Sequence, residues 1–289
     1  AKYTDEGVPP PKRVWNMKTH NAETYGTNVL NAMIGKRFNY PKSLYAVQDT
    51  LRFFVANKPN ALIVDFFAGS GTTLHAVNLL NAEDGGHRRC ILVTNNEVSA
   101  DEAKTLSAQG YQPGDPEWEQ YGIARYVTWP RTVCSIEGHD VNGKPLKGDY
   151  ITSGEEPMHM ADGFKANAAF FKLGFLDKNA VALGRQFKEL LPVLWLKAGA
   201  HGPCPSLEEA AEMPAMLVLP ENHFAVLTNE SQYETFATQV NIEDAITTVY
   251  IVTDSEPGYR EMISGLHAED TYQLYRDYLD NFRINHGGR

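Results

Sequence analysis

The stretch from Ala61 to Val77, ALIVDFFAGSGTTLHAV, constrains the fold of this chain more than any other. It begins with a short apolar run, which is typical of a strand buried on both faces. A turn of very small residues follows, and a helical pattern begins at Thr72. The next apolar run, RRCILVTN, predicts a second buried strand. A strand, a helix and a strand within about 35 residues predict a βαβ unit and therefore a parallel sheet.

The turn itself predicts a binding site. Gly69 and Gly71 permit backbone conformations that other residues resist, and they place no Cβ in the path of a ligand. The helix that begins at Thr72 offers unpaired N–H groups and the positive end of its dipole, which suit a carboxylate or a phosphate. The turn is not a Walker loop, because no Lys follows the last Gly. Similar turns also join strands to helices in folds that bind nothing there.

The whole string DFFAGSGTT favours a nucleotide-type cofactor with an anionic tail. In such a site the tail meets the turn, and an acid that follows the next strand holds the ribose. Asn95, Asn96 and Glu97 come directly after the second strand. Glu97 has a second interpretation, as a solvated acid at the start of a helix.

Composition limits the class of protein. With 289 residues, 43% of them hydrophobic and 21% charged, the chain is an ordinary globular protein. It has no apolar run of membrane-spanning length and no signal-peptide pattern, so we expect a cytoplasmic protein without a membrane partner. Its three cysteines fit neither a disulfide framework nor a zinc spacing, and we expect no metal site. The net charge of −10 argues against a basic nucleic-acid-binding face over the chain as a whole.

The pattern along the chain predicts α/β architecture in three parts: an extended N-terminal segment over residues 1–42, a domain over 43–149, and a second, smaller α/β domain over 150–289. Helices are expected over 43–56, from Thr72 to about 81, and over 99–110. Two short helices divided near Pro130 should follow. In the second domain we expect a strand over 164–176, a long helix over 179–199, three further strands, helices around 230–240 and 257–265, and a final helix over 269–282.

Several motifs in order resemble a known family. DFFAGSGTT resembles the AdoMet-binding motif of DNA amino-methyltransferases, which methylate an exocyclic amine of adenine or cytosine. FNYPKSLYAV, from Phe38 to Val47, resembles the Phe-x-x-Pro-Lys motif that precedes the glycine loop in the permuted, or β-class, branch. Together with ILVTNNE, these motifs are most similar to modification subunits of type III restriction systems. The resemblance covers about residues 15–137, and it implies a Rossmann-like methyltransferase sheet over 43–149, incomplete in this chain.

The resemblance implies S-adenosyl-L-methionine (AdoMet) as the cofactor, and it assigns roles to twelve residues. Six wrap the methionine part, two begin the next helix and touch the same tail, three form the far wall, and one contacts the ribose. In that order they are Asp65, Phe66, Ala68, Gly69, Ser70 and Gly71; Thr72 and Thr73; Phe38, Pro41 and Lys42; and Glu97.

The family's catalytic motif is not found in this sequence. That motif is an Asp, Asn or Ser followed by two prolines and an aromatic residue, which stacks on the flipped base. GVPPPK has Val before its prolines, and GDPEW has a single proline. In the permuted order the motif lies before the glycine loop, which places it upstream of Ala1. We therefore assign no catalytic residue here and expect a C-terminal part of a longer methyltransferase that is inactive alone.

The implied function is methylation of the exocyclic amine of adenine in double-stranded DNA, in restriction–modification or phage defence. DNA would be contacted mainly through the absent N-terminal part. Lys12–Lys18, and Arg125 and Arg131 beside Trp129, are local candidates for DNA contact, and their alternative interpretation is ordinary charged surface with incidental aromatic residues. A restriction subunit and a homodimer are candidate partners. The alternatives are a cytosine-amine methyltransferase, a degenerate non-catalytic binding subunit, and an unrelated Rossmann-like enzyme that uses another nucleotide.

Overall fold

The computed structural model describes residues 14–152, 154, 156–174, 187–207 and 214–274. The chain is mixed α/β and divides into two compact units, Ala1–Phe170 and Phe171–Arg289. The first unit contains α1 (Asn28–Ile34), α2 (Leu44–Val55), β1 (Leu62–Asp65), α3 (Thr72–Asp84), β2 (Arg89–Leu92), α4 (Ala100–Ala108), α5 (Pro116–Glu119), α6 (Trp129–Glu137), β3 (Asp149–Tyr150) and β4 (Met158–His159). The second contains α7 (Leu191–Lys197), β5 (Met216–Leu219), β6 (Phe224–Leu227), α8 (Tyr233–Ile242), β7 (Thr248–Val252), α9 (Glu256–Ser264) and β8 (Asp270–Leu274).

The first unit confirms the predicted βαβ arrangement. Strands β1 and β2 pair in parallel, with Leu62 opposite Arg89 and Asp65 opposite Leu92. Helix α3 connects them and ends at Gly85, which adopts a left-handed conformation (φ +69°) that suits glycine. Helix α2 begins at Ser43, whose hydroxyl accepts a hydrogen bond from the Ala46 backbone N–H.

The expectation that both faces of this sheet are buried was wrong for the described residues. One face carries four apolar side chains that remain 44–50% exposed, namely Leu62, Val64, Ile91 and Val93. The alternate positions on the other face are half-buried, and α3 packs against α2 and β2. A continuous apolar run is typical of a strand covered on both faces, so the exposed face is a departure from the usual pattern.

The core of the first unit lies among its helices. Fully or nearly fully buried side chains from α1, α2, α3 and α6 form one cluster, to which the segment around β3 contributes Tyr150. This cluster contains Leu30, Met33, Ile34, Leu44, Tyr45, Ala76, Leu79, Val127, Cys134, Leu146, Tyr150, Met160 and Phe164. The packed helices therefore fix where α3 begins, and with it the glycine turn.

The second unit contains a four-stranded sheet in the order β5-β6-β7-β8. Strand β5 is antiparallel to β6, whereas β6, β7 and β8 run parallel. Alternate residues of β6 and β7 face two separate clusters. One cluster packs Phe224 and Tyr250 against α7, and the other packs Leu227 against α8 and α9.

Four predicted elements differ from the structure. Residues 270–274 form β8 and not the start of a final helix, and residues 164–174 form no regular element. Of the long helix over 179–199, the described part forms a 3₁₀ turn, Phe187–Leu190, and α7. Pro130 lies in the first turn of α6, where its missing N–H is tolerated, and it does not divide two helices. The rest of those predictions falls outside the described residues.

Candidate cofactor site

The turn between β1 and α3 is closed by the side chain of Asp65. One carboxylate oxygen accepts a hydrogen bond from the Phe67 backbone N–H at 3.0 Å, and the other accepts one from the Thr73 hydroxyl at 2.6 Å. Asp65 therefore ties the end of the strand to the first turn of the helix. A carboxylate has four lone-pair sites, so these two bonds leave acceptor capacity for a ligand.

The two glycines of the turn adopt the left-handed conformations that the sequence predicts, with φ +52° at Gly69 and +76° at Gly71. They face different surroundings. A Cβ built on Gly69 would have its nearest neighbour, the carbonyl oxygen of Phe67, at 3.8 Å, whereas a Cβ on Gly71 would lie 3.1 Å from Thr128 Cγ2. The Gly69 side of the turn is therefore open to a ligand, and Gly71 provides the close approach to the neighbouring helix.

Two aromatic residues at the start of the turn are exposed. Phe66 is 67% exposed and Phe67 is 88% exposed, while Ala68 between them and the glycines is buried. The backbone is nevertheless fixed, because Ala68 N–H donates to the Val93 carbonyl at 3.3 Å and Val93 N–H donates to the Asp65 carbonyl at 2.8 Å. An ordered backbone thus presents two large apolar side chains beside the open turn.

Behind the turn lies a buried polar network. Ser70 and Thr72 are both buried, and Arg131 from α6 donates from Nη1 to the Ser70 hydroxyl at 3.0 Å and to the Thr72 hydroxyl at 2.8 Å. Arg131 Nε donates to His75 Nδ1 at 3.4 Å, and His75 Nε2 lies 2.9 Å from the Tyr150 hydroxyl. These bonds satisfy the polar side chains of a turn that could not otherwise be buried.

Burial shifts the titration of this network. The pKa of His75 lies well below its usual range, first because the ring is buried and second because of the Arg131 charge. Burial lowers the pKa of Arg131 to about 10, which leaves the guanidinium protonated at neutral pH. Burial also raises the pKa of the Tyr150 hydroxyl. The network therefore carries a single positive charge, located on Arg131.

Of the polar residues that follow β2, one is hydrogen-bonded to neighbouring segments and two are exposed to solvent. Asn96 is committed to the fold, because its Nδ2 donates to the Glu119 carbonyl at 2.7 Å and its Oδ1 accepts from the Arg125 backbone N–H. Asn95 and Glu97 are exposed, and Asn95 Nδ2 donates to Glu97 Oε1 at 3.1 Å. Parallel strands end at the same edge of a sheet, so the exposed pair and the glycine turn share the carboxyl edge of β1 and β2.

The Phe38–Lys42 segment is held in place by Phe38 and Pro41. Pro41 is buried, Phe38 packs partly buried against the core cluster, and Lys42 is exposed. The preceding Arg37 donates from Nη1 to the Tyr126 carbonyl at 3.2 Å and lies 4.4 Å from the centre of the Tyr126 ring.

The segment Ile123–Arg131 contacts Arg37, the residues after β2 and the glycine turn, and it was not predicted to be part of the cofactor site. Tyr126 contacts Arg37, the Ile123 backbone N–H donates to the Glu97 carbonyl at 2.9 Å, and the Thr128 hydroxyl donates to the Gly69 carbonyl at 2.7 Å. Its Ala124–Thr128 part is a π-helical turn, a feature that is frequent at functional sites.

One sequence signal for this segment was available. Val127, Arg131 and Cys134 recur at helical spacing and are all buried, so an arginine occupies the inner face of an amphipathic stretch. Arg131 was considered only as a surface cation for DNA. Because it is completely buried, it cannot lie on a DNA-binding surface.

The residues around the turn fit a small zwitterionic nucleoside ligand. Gly69 leaves the main chain approachable, Asp65 and Glu97 are acceptors suited to an amine or a ribose hydroxyl, and Arg131 supplies positive charge behind the turn. Within the described residues, no group of His, Cys, Asp and Glu side chains is arranged to hold a metal ion. No described helix has both the length and the apolar character that a membrane span requires.

Part of the chain is similar to a known family. Residues 1–105, which include the Phe38–Lys42 segment, the glycine turn and the residues after β2, match the family described as DNA methylase. This match confirms the resemblance to DNA amino-methyltransferases.

Three individual relatives show which DNA-modifying proteins the chain is similar to. The chain is 34% identical over 102 residues to the type III restriction-modification enzyme EcoPI Mod subunit of Escherichia phage P1, covering 35% of this chain and 15% of that protein. It is 41% identical over 86 residues to the type II methyltransferase M.KpnI of Klebsiella pneumoniae, covering 29% and 20%. It is 34% identical over 212 residues to the type III restriction-modification enzyme StyLTI Mod subunit of Salmonella typhimurium, covering 66% and 31%.

The chain therefore resembles type III modification subunits, as its motifs indicate. It spans less than a third of the length of each of these curated relatives, up to 31%.

Proposed function

We propose that this chain provides the AdoMet-binding part of a DNA methyltransferase that modifies the exocyclic amine of adenine. The observation that carries the proposal is the turn at Gly69, which is open on one side and lies at the carboxyl edge of a parallel sheet beside Glu97. The order of motifs around it supports the permuted branch. The proposal includes the sequence-based division, with the AdoMet-binding domain over residues 43–149.

Each proposed cofactor residue has a defined task. The backbone of Ala68–Gly71 and the first N–H groups of α3 receive the amino-acid tail. Asp65 and Thr73 hold the turn in shape, as their mutual hydrogen bond supports. Phe66 walls the adenosine side, Glu97 accepts from the ribose hydroxyls, and Phe38, Pro41 and Lys42 close the far side.

Bound AdoMet would supply a methyl group on a sulfonium cation, whose charge makes the departing thioether a good leaving group. The protein's contribution is to hold the cofactor and the flipped base in line for direct transfer, without a covalent enzyme intermediate. The catalytic residues that orient the target amine are assigned to no position of this chain. Double-stranded DNA and a restriction subunit are the proposed partners, since two of the relatives are named as subunits of restriction-modification enzymes.

A matched pair of glycine variants tests the site. Gly69 and Gly85 both have positive φ, and a Cβ on either would meet no atom within 3.4 Å, but Gly85 lies at the other end of α3. Alanine at either position costs about 1–2 kcal/mol of backbone strain. We expect Gly69→Ala to weaken AdoMet binding at least about tenfold, a loss of roughly 1.4 kcal/mol. Gly85→Ala should leave the affinity unchanged.

Isothermal calorimetry with AdoMet measures both variants, and thermal unfolding measures the shared strain. Equal affinity of the wild-type chain and Gly69→Ala would exclude the proposed pocket. NAD and ATP serve as comparison ligands, and tighter binding of either would favour an unrelated nucleotide enzyme. Mass spectrometry of DNA modified by a full-length enzyme containing this chain would distinguish methyladenine from methylcytosine.

A further inference from the structure

Arg131 has an unusual environment for a buried cation. Its exposed fraction is 0%, and among the described residues it forms no ion pair with any carboxylate. Its hydrogen-bond acceptors are the Ser70 carbonyl and hydroxyl, the Thr72 hydroxyl and the His75 ring. Buried charges are usually paired, because desolvation makes an isolated one costly.

The guanidinium group also has unused donor capacity. Its Nη2 is buried and has no hydrogen-bond partner among the described residues. By contrast, Arg88, a buried arginine between α3 and β2, donates to the Asp84 carboxylate at 2.8 Å and to the Val55 carbonyl at 2.9 Å. The two arginines lie at opposite ends of α3, and only the one at the glycine turn lacks a negative partner.

His75 does not neutralise Arg131 and adds no charge of its own. Arg131 Nε–H donates to His75 Nδ1, so Nδ1 carries no proton and the ring proton is on Nε2, facing the Tyr150 hydroxyl. The positive charge of Arg131 behind the turn is therefore not neutralised by a negative group among the described residues. At low dielectric such a charge acts strongly on a group a few ångströms away.

We propose that Arg131 is a positioning residue that fixes the glycine turn from behind and makes the site selective for a ligand bearing a carboxylate. Its Nη1 holds Ser70 and Thr72, the residues on either side of Gly71, so it sets the direction of the backbone N–H groups. Its unpaired charge adds to the positive end of the α3 dipole at the same place. This inference rests on the proposed AdoMet site and assigns its preference for the tail to a residue outside the motif.

A pair of ligands isolates the carboxylate. S-adenosylhomocysteine has the complete amino-acid tail, and S-adenosyl-3-thiopropylamine differs from it only in lacking the carboxylate. Calorimetry on the complete 289-residue chain gives the affinity ratio of the two. We expect the wild type to prefer S-adenosylhomocysteine, and Arg131→Gln to reduce that preference at least about tenfold. Arg131→Lys keeps the charge and should retain the preference to within about threefold.

The matched control is Arg88→Gln, which removes another buried arginine that has its own carboxylate partner. It should lower the melting temperature and leave the ligand preference unchanged. A merely structural role for Arg131 would weaken both ligands equally, so an unchanged ratio in Arg131→Gln overturns the inference while the cofactor site stands. If Arg131→Gln does not fold, loss of the preference in Arg131→Lys overturns it. A wild-type chain that binds neither ligand would overturn the proposed function, and this inference with it.

Discussion

The two larger sheets of this protein are stabilised in different ways. In the second unit, Val249, Tyr250 and Ile251 at the centre of the sheet are each 0% exposed, and helices cover both faces. In the first unit, Leu62 and Val64 of the two-stranded sheet are 50% and 45% exposed. Parallel sheets are normally covered on both faces. The glycine turn thus lies on a sheet that the described residues cover on one face only, and buried hydrogen bonds supply much of its order.

The largest expected effect is in the second unit. Leu227→Ala removes a side chain that is 0% exposed and packs against α8 and α9, so we expect a loss of about 3 kcal/mol of unfolding free energy. Urea denaturation monitored by circular dichroism measures it. Val193→Ala in α7, where the side chain is 59% exposed, is the control and should cost less than about 1 kcal/mol. Similar losses for both variants would contradict the assigned core.

An intermediate effect is expected from His75 in the first unit. The pKa of this buried ring lies well below its usual value of 6.5, so below that pH the unfolded chain takes up a proton that the folded chain excludes. The contribution of neutral His75 to the unfolding free energy is fully present above pH 6.5. It falls as the pH drops below 6.5, by about 1.4 kcal/mol per pH unit, until the folded-state pKa of His75 is reached.

Urea denaturation between pH 7.5 and 5 compares the wild type with His75→Gln. Glutamine can still accept the hydrogen bond from Arg131 but does not titrate, so the difference in stability between the two proteins should shrink as the pH falls. A difference independent of pH would show that His75 is not neutral in the folded state.

The sequence predicted those features that depend on local chemistry. The βαβ unit followed from two apolar runs and two glycines, and helix α2 followed from its apolar spacing. The positive φ angles of Gly69 and Gly71 followed because few other residues adopt them. The predictions that were wrong concern residues whose structure depends on partners distant in sequence. Residues 270–274 pair with β7 to form β8, and that pairing overrides a helical pattern.

The candidate site divides in the same way. Its proposed motif residues lie in short runs, Phe38–Lys42, Asp65–Thr73 and Glu97, which local sequence patterns can predict. The Ile123–Arg131 segment reaches the turn across about sixty residues of chain, as in the Thr128 bond to Gly69, and no local pattern records such a contact. The available signal was an arginine at an apolar position of a helical pattern, but Arg131 was predicted to be a surface cation.

The smallest expected effect tests the open face of the first sheet directly. Val64→Thr keeps the shape of a side chain that is 45% exposed, and its hydroxyl can reach water, so we expect a change below about 0.5 kcal/mol. Val249→Thr makes the same substitution where the exposed fraction is 0%, and burying a hydroxyl there should cost about 1–3 kcal/mol. Urea denaturation of both variants gives the comparison. A cost at Val64 as large as that at Val249 would mean that this face is covered in solution, and the contrast between the two sheets would disappear.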